Sequence, residues 1–291
     1  MTELTPDVLR AMPLPVRAEG DKQARGNVLI VGGSVATPGA ALLAGLGALR
    51  AGAGRLRIVT GSHHAIALGI ALPEALVLGV PETAEGGIDP GCVGEIAPLL
   101  DSADAVLVGP GMTDQSAIDA LIRALFQTAP ASAGWVFDAR AISSIRQLGS
   151  LRKSNDKPII ITPHAGEMAG LLQRERRDIE ADPAHFAREA ATAFHATVAL
   201  KGARTFFADA DARRLVCCQG NPGLATSGSG DVLAGVIAGL LARAAEPFVA
   251  TSWGVYLHAR AGDHLAERIG PLGFLAREIL PEIPRIMQEL Q

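Results

Sequence analysis

The feature that most constrains this chain is an alternation of short apolar runs ending in glycine with longer stretches of helical character. "NVLIVGGS", residues 27–34, is a buried-strand pattern closed by a tight turn. "TPGAALLAGLGALRAGAG" follows directly, with Thr37 as the expected N-cap, Pro38 at the first helical position and Gly52 at the C-terminal cap. "RLRIVT" then opens a second strand. Strand, helix, strand in this order is a βαβ unit, which predicts an α/β fold with a mostly parallel central sheet and helices on both faces.

The alternation recurs in "ADAVLVGPG", the helix-like "QSAIDALIRALFQ", "GWVFDA" and "KPIIITPHAGEMAGLLQ". "TVALKGARTFFADADARRLVCC" predicts one further parallel strand and an edge hairpin turning at "DADA", and three C-terminal helices close the unit. No linker rich in Pro, Ser or charge divides the chain, so a single domain over 1–291 is expected, with 1–20 as a polar lead-in. The 33 glycines follow no fixed period, which excludes collagen-like and low-complexity readings. Gly235 and Gly239 are expected to let their helix lie close to a neighbour.

A net charge of -4 gives no general grip on nucleic acid. No uninterrupted apolar run has the length of a bilayer span, and the mixed, acidic N-terminus is unlike a signal peptide. Cys92, Cys217 and Cys218 lack metal-ligand spacing. A soluble protein of the reducing cytoplasm, with no membrane or nucleic-acid partner, is the expectation.

In open α/β sheets, ligands sit outside the carboxyl ends of the strands, so chemistry is sought there. "NPGLATSGSGD", residues 221–231, runs straight into the apolar "VLAGVIAGLLA". If a helix begins here, the N–H groups of Gly228, Ser229 and Gly230 form an anion hole at its positive end, and glycine lets a phosphate approach without meeting a Cβ. The bland alternative is an ordinary capped turn. It leaves the carboxylate of Asp231 beside an anion site without a task. A carboxylate there can accept a proton from a hydroxyl attacking phosphorus, which points to phosphoryl transfer.

"GPGM" lacks the third glycine of a Rossmann fingerprint, and the chain contains no P-loop. Gly111 within it either turns the chain or lets a ligand touch backbone. In "TPHAGE", Glu167 is the expected cap-region acid and His164 the better candidate for touching substrate, while two such residues make a weak metal site. Lys201 and Arg204 in "LKGARTF" can meet phosphates, although Arg204 alone fits a solvated edge. Asp138 in "VFDAR" ends a strand and is as much a site candidate as a structural one. His63, His64, Cys217, Cys218 and the "DAD" at 209–211 are assigned to surface or packing.

Taken together, "GNVLIVGGS", "PGAALLAGLGALRAGAG", "VGPGM", "ITPHAGE", "LKGARTF", "NPGLATSGSGDVLAGVIAGLLA" and "GVYLHARAGD" closely resemble the ADP-dependent NAD(P)H-hydrate dehydratase family, a branch of the ribokinase-like superfamily. The resemblance runs from about Asp21 onward. It implies a ribokinase-like three-layer fold and a repair lyase that restores NADH or NADPH from the S epimer of their hydrates. ADP or ATP is the implied co-substrate, the ring hydroxyl is phosphorylated, and phosphate is lost. Matched by position, the hydrated coenzyme meets Ala40, Gly111, His164 and Asp231, with Asp231 catalytic. The adenine nucleotide lies along Lys201, Gly202, Ala203, Arg204, Thr205 and Gly230. Magnesium and a homo-oligomer are further implications, although no metal ligand is assignable. A separate epimerase is expected to supply the S form, since the chain has no room for a fused one. Thr37, Thr113 and Arg140 depart from the family pattern on the substrate-side loops. The competing readings are a small-molecule kinase of the same superfamily and a nucleotide-binding regulatory protein without turnover.

Overall fold

Ten strands form one sheet in the computed structural model, which describes residues 1–15, 25–149 and 157–290. The strands are β1 (Thr2–Glu3), β2 (Asn27–Val31), β3 (Arg55–Gly61), β4 (Ala75–Val80), β5 (Ala105–Val108), β6 (Gly134–Phe137), β7 (Ile159–Ile161), β8 (Thr197–Leu200), β9 (Thr205–Ala208) and β10 (Arg214–Cys217). The helices before β7 are α1 (Pro6–Arg10), α2 (Gly39–Arg50), α3 (Ser62–Ala71), α4 (Val93–Leu100), α5 (Gln115–Thr128) and α6 (Ala141–Ser144). After β7 come α7 (Ala165–Leu172), α8 (Arg176–Ala181), α9 (Pro183–Phe194), α10 (Ser229–Ala242), α11 (Pro247–Arg268), α12 (Ala276–Ile279) and α13 (Glu282–Leu290).

The sheet order is β1-β10-β9-β8-β7-β6-β5-β2-β3-β4. Only the β8–β9 and β9–β10 pairs are antiparallel. Successive residues of a strand point to opposite faces, and both faces are covered, so central strands are apolar at every position. In β2, Val28 and Ile30 enter one core cluster while Leu29 and Val31 enter the other. The first cluster lies under α2, α10 and α11 and the second under α4, α5 and α9, which gives the three layers expected.

The α10 helix is buried almost all round, and every residue from Val232 to Ala242 is buried. Its contact with α2 is made by backbone. A Cβ at Gly235 would lie 2.0 Å from the Ala44 carbonyl oxygen, and one at Gly239 would lie 2.5 Å from that of Ala48. Gly47 of α2 reciprocates, its absent Cβ falling 2.7 Å from the Val232 oxygen. The expected packing role of Gly235 and Gly239 is therefore met, and it fixes where the N-terminus of α10 sits.

Three local expectations are corrected. Thr37 is not the N-cap of α2: Pro38 holds that position without a side-chain bond, and helical residues begin at Gly39. The Thr37 hydroxyl instead donates to the Gly111 carbonyl at 2.9 Å and meets Ser34 Oγ at 3.1 Å. The first residues are more than a polar lead-in. Thr2–Glu3 pairs with β10, and Leu4, Leu9 and Leu14 are buried in the core. For the same reason β10 is not the sheet edge, because β1 covers it. Residues 16–20 of the expected lead-in, and Asp21 where the family resemblance begins, lie outside the described residues.

Gly235→Ala is expected to destabilise the protein by about 3 kcal/mol, because its methyl meets backbone that only a shift of α2 can clear. Gly170→Ala in α7, where nothing lies within 4 Å of the new Cβ, is expected to stabilise by about 0.5–1 kcal/mol. Denaturant unfolding of the two variants checks both signs.

Candidate active site

The carboxyl ends of β2, β5, β6, β7 and β8 face the N-terminus of α10, and the chemistry-bearing loops converge there. Gly228 caps α10 with φ +87°, a conformation for which glycine is suited, and the helix opens with Ser229, Gly230 and Asp231. The first N–H groups of a helix have no carbonyl one turn back to bond, and they carry its positive dipole end. Ser229 departs from the expected anion hole, since its N–H donates to the Thr226 carbonyl at 3.2 Å. Its buried hydroxyl lies 2.9 Å from His258 Nε2 of α11. Gly230 and Asp231 hold the second and third helical positions, where first-turn amides can serve an anion.

Asp231 stands among charges of both signs. Burial first, then Asp138 and Glu167, push its pKa up to about 6, and Lys201 opposes them. Lys201 Nζ donates to Asp138 Oδ1 at 3.0 Å, and Thr162 Oγ1 donates to the same oxygen at 2.6 Å. A side chain at Gly230 would begin 3.5 Å from Lys201 Nζ and 4.0 Å from Asp138 Oδ2, so this pair lies against the bare first turn of α10. Burial pulls the Lys201 ammonium down, but Asp138 and then Glu167 outweigh it and hold the pKa above its ordinary value. Asp138, undecided from sequence, is at the site.

His164 is the N-cap of α7. Its Nδ1 accepts from the N–H groups of Gly166 and Glu167 at 2.9 and 3.2 Å, and Glu167 Oε2 accepts from the His164 N–H at 2.8 Å. This capping box spends Nδ1 on the backbone, so the ring proton belongs on Nε2, 3.4 Å from Glu167 Oε1. The Lys201 N–H donates to the Pro163 carbonyl at 2.7 Å, tying the ends of β7 and β8 together.

Two cavities meet at His164, Lys201, Gly202 and Ala203. The larger, about 730 Å³, is bounded by Thr205, Asn221, Leu224, Gly230, Val255 and His258. The smaller, about 600 Å³, lies on the other side of the β8–β9 connection and takes Arg176, Arg204 and Phe206. The 201–205 segment is thus divided: Thr205 lines the larger cavity and Arg204 only the smaller one. Ala40 and Gly111 line neither, but they touch each other, the Gly111 Cα direction ending 2.9 Å from Ala40 Cβ. Gly111 has φ +69° and Gly33 lies directly beneath it. Thr113 and Arg140 are exposed.

His63 and His64 have partners that sequence does not reveal. His63 Nδ1 is 2.6 Å from Glu82 Oε2, and His64 Nε2 is 2.6 Å from Thr60 Oγ1. Asn221, Thr162 and His258 join the site with only weak local signals. Asn221 begins the glycine loop, where its Oδ1 caps a short turn by accepting from the Gly223 N–H at 2.9 Å. Thr162 and His258 become legible only once the strand end and α11 are placed.

The profile of the NAD(P)H-hydrate dehydratase family matches residues 28–285. The chain belongs to that family. It is similar, at 45% identity over 99% of its length and 96% of the relative's, to the ADP-dependent (S)-NAD(P)H-hydrate dehydratase of Xanthomonas campestris pv. campestris. It is 35% identical to the bifunctional NAD(P)H-hydrate repair enzyme of Moorella thermoacetica over 96% of this chain, spanning about half, 52%, of that protein. Among solved structures it superposes on the ADP/ATP-dependent NAD(P)H-hydrate dehydratase of Bacillus subtilis co-crystallised with ATP and Mg2+, with TM-score 0.85 and 28% identity, covering 100% and 99% of the two chains. The expected ribokinase-like architecture is thereby met.

In this family setting, the raised pKa of Asp231 has a consequence for stability. Between its ordinary value of 3.8 and about 6, the folded chain keeps a proton that the unfolded chain has released. Stability from this group therefore falls as pH rises through that window and stays lower above it. The cost at neutral pH is about 2–3 kcal/mol. Asp231→Asn is expected to raise the melting temperature at pH 7.5 by roughly 5 °C and to lose that advantage near pH 4. Thermal melts at the two pH values check it.

Proposed function

We infer that this chain is an ADP-dependent (S)-NAD(P)H-hydrate dehydratase, which restores NADH or NADPH from the S epimer of the hydrated coenzyme. The observation that carries the reading is Asp231: a carboxylate with a pKa of about 6 at the first turn of α10, beside Lys201 and bare glycine backbone. A base poised just below neutral pH is largely ionised there yet still basic enough to take a proton in the transition state. The 45% identity to a relative of that activity along nearly its whole length supports the same assignment.

In this reading, the coenzyme's ring hydroxyl attacks the terminal phosphorus of ADP while Asp231 takes its proton. The bond to the bridging oxygen breaks and AMP leaves. The carbon–oxygen bond of the phosphorylated ring then breaks, phosphate departs with the bonding pair, and a proton lost from the adjacent ring carbon completes the double bond. The sum is hydrated coenzyme and ADP to coenzyme, AMP and phosphate. The amides of Gly230 and Asp231 and the Lys201 ammonium face the charge that builds on the transferring phosphoryl group. The cavity bounded by Thr205, Asn221, Leu224 and Val255 takes the adenine nucleotide, and Ala40, Gly111 and His164 take the hydrated coenzyme.

Magnesium binds few protein carboxylates and keeps water and phosphate oxygens around it. Among the described residues, no group of three or more His, Cys, Asp and Glu side chains is placed to hold a metal ion. The ion would thus arrive on the nucleotide's phosphates, where it neutralises charge. An epimerase activity as the source of the S form, and a cytoplasmic homo-oligomer, are parts of the same reading. No described helix is long and apolar enough to cross a membrane.

Incubation of the protein with hydrated NADH, ADP and magnesium is expected to return dihydronicotinamide absorbance. No return with either ADP or ATP overturns the reading, and a stable phosphorylated product would make the chain a kinase. The rate constant kcat/KM should fall about tenfold per pH unit below about 6 as Asp231 protonates. Asp231→Asn should lower kcat by about 10²–10⁴-fold while ADP still binds.

A further inference from the structure

Asp138 is buried and held from several sides, and the reaction as written gives it no step. It follows β6 directly and is 3% exposed. Backbone and side chain are both held. Gly109 has φ +124° and packs so closely that a Cβ there would lie 1.9 Å from the Asp138 carbonyl oxygen. Ala139, the next residue, is left-handed with φ 50°, a conformation that L residues other than Asn and Asp rarely adopt. Thr162 and Lys201 both donate to Oδ1, and Oδ2 faces Gly230. Backbone strain persists where the surroundings over-determine it, and such positions cluster at functional sites.

A buried ion pair is poor evidence of a purely stabilising role, since desolvation cancels most of its attraction. What this pair does supply is place. Lys201 has a long, flexible stem and would sample many rotamers at a strand end. Bonded to Asp138, its ammonium is held beside the first turn of α10. We propose that Asp138 is a positioning residue for phosphoryl transfer, holding the Lys201 ammonium over the α10 amides where the transferring phosphate meets Asp231. The proposal deepens the dehydratase reading and rests on it.

The same carboxylate acts on Asp231 through space. The charged groups facing Asp231 are Asp138 after β6, Lys201 after β8 and Glu167 on α7. His258 on α11, which bonds Ser229, is driven by burial down to a pKa of about 4 and is neutral at the working pH. Removing the charge of Asp138 takes away a like charge and leaves the charge of Lys201 uncompensated in its action on Asp231. Both changes lower the basicity of Asp231, so their signs agree.

Asp138→Asn is the test, because the amide oxygen still accepts from Thr162 and Lys201 while the charge is gone. The expected result is a kcat at least about tenfold lower with no rise in KM for ADP, since a positioning group acts in the transfer step and the variant removes a negative charge near the phosphates. A 13C NMR titration of the Asp231 carboxylate should move down by about one pH unit, taking the acid limb of kcat/KM with it. On a Lys201→Gln background, the same substitution should cost much less. A loss that appears as raised KM, an unmoved Asp231 titration, or equal losses in both backgrounds overturns the proposal. Thr162→Val, which removes one of the donors to Oδ1 and leaves the charge, should lower kcat less and leave the titration nearly in place; it tests the anchoring if Asp138→Asn fails to fold. If the wild-type protein does not turn over hydrated NADH, the dehydratase reading falls, whereas the titration still decides whether Asp138 sets the state of Asp231.

Discussion

The contact on which the site depends is backbone against backbone, between α2 and α10. Two helices with ordinary side chains between them stand 8–10 Å apart. Here Gly235, Gly239 and Gly47 remove the side chains that would hold them at that distance, and carbonyl oxygens of one helix lie where Cβ atoms of the other would be. The N-terminus of α10 is thereby set down against the loops that follow β2 and β5. Leu43 of α2 lies where a Cβ of Gly228 would be, 2.4 Å away, so even the cap of α10 is seated on α2. A helix position fixed this rigidly is what allows two amides and one carboxylate to be aimed at a point.

That point is also where the parallel strands deliver their polar residues. The central strands β5, β6 and β7 are apolar along their length because both their faces are covered, so charge appears there only after the last paired residue. Asp138 follows β6, Thr162 follows β7 and Lys201 follows β8, one per strand end in adjacent strands. Strand spacing of about 4.8 Å places such residues within reach of one another. The resulting cluster combines two carboxylates with one ammonium next to a helix N-terminus. Burial and the like charge of Asp138 favour the proton on Asp231, which is how it becomes a base near neutrality rather than an ordinary surface acid.

The sheet was legible in sequence wherever an apolar run ended in glycine or proline, because that pattern is dictated by two-sided burial. The N-terminal strand was not. Thr2–Glu3 is only two residues long and carries no apolar pattern, and its pairing with β10 is secured by Leu4 and Leu9 reaching a core built from residues far along the chain. The cap of α2 was misplaced for a related reason. Thr37 has the right chemistry for an N-cap, but a hydroxyl accepts the better of the offers around it, and the Gly111 carbonyl comes from a loop 74 residues away. At the site, Asp231 and Lys201 were legible because glycine-rich neighbours marked them. Ser229 was only half legible: its place in the loop was visible, but not that Thr226 and His258 would occupy its polar groups. Partners contributed by another element leave no local trace.

Several choices around α10 run against stability, and their common location is informative. Asp231 is held in surroundings that favour its protonated form, Ala139 adopts a backbone conformation that costs about 1–2 kcal/mol, and Lys201 and Asp138 are desolvated together. A chain selected only to fold would place Asn at 231, Gly at 139 and an apolar pair at 138 and 201. The two core clusters are filled largely by aliphatic and aromatic side chains. The left-handed Ala139 and the like charges of Asp138 and Asp231 meet where, in the proposed reaction, a hydroxyl proton is accepted beside an anion. The two requirements oppose each other, since amides and an ammonium that attract phosphate also lower the basicity of any nearby carboxylate. Asp138 eases the conflict by offsetting part of the Lys201 charge while holding it in place, so that Asp231 stays basic beside an ammonium and backbone amides that still face the phosphate.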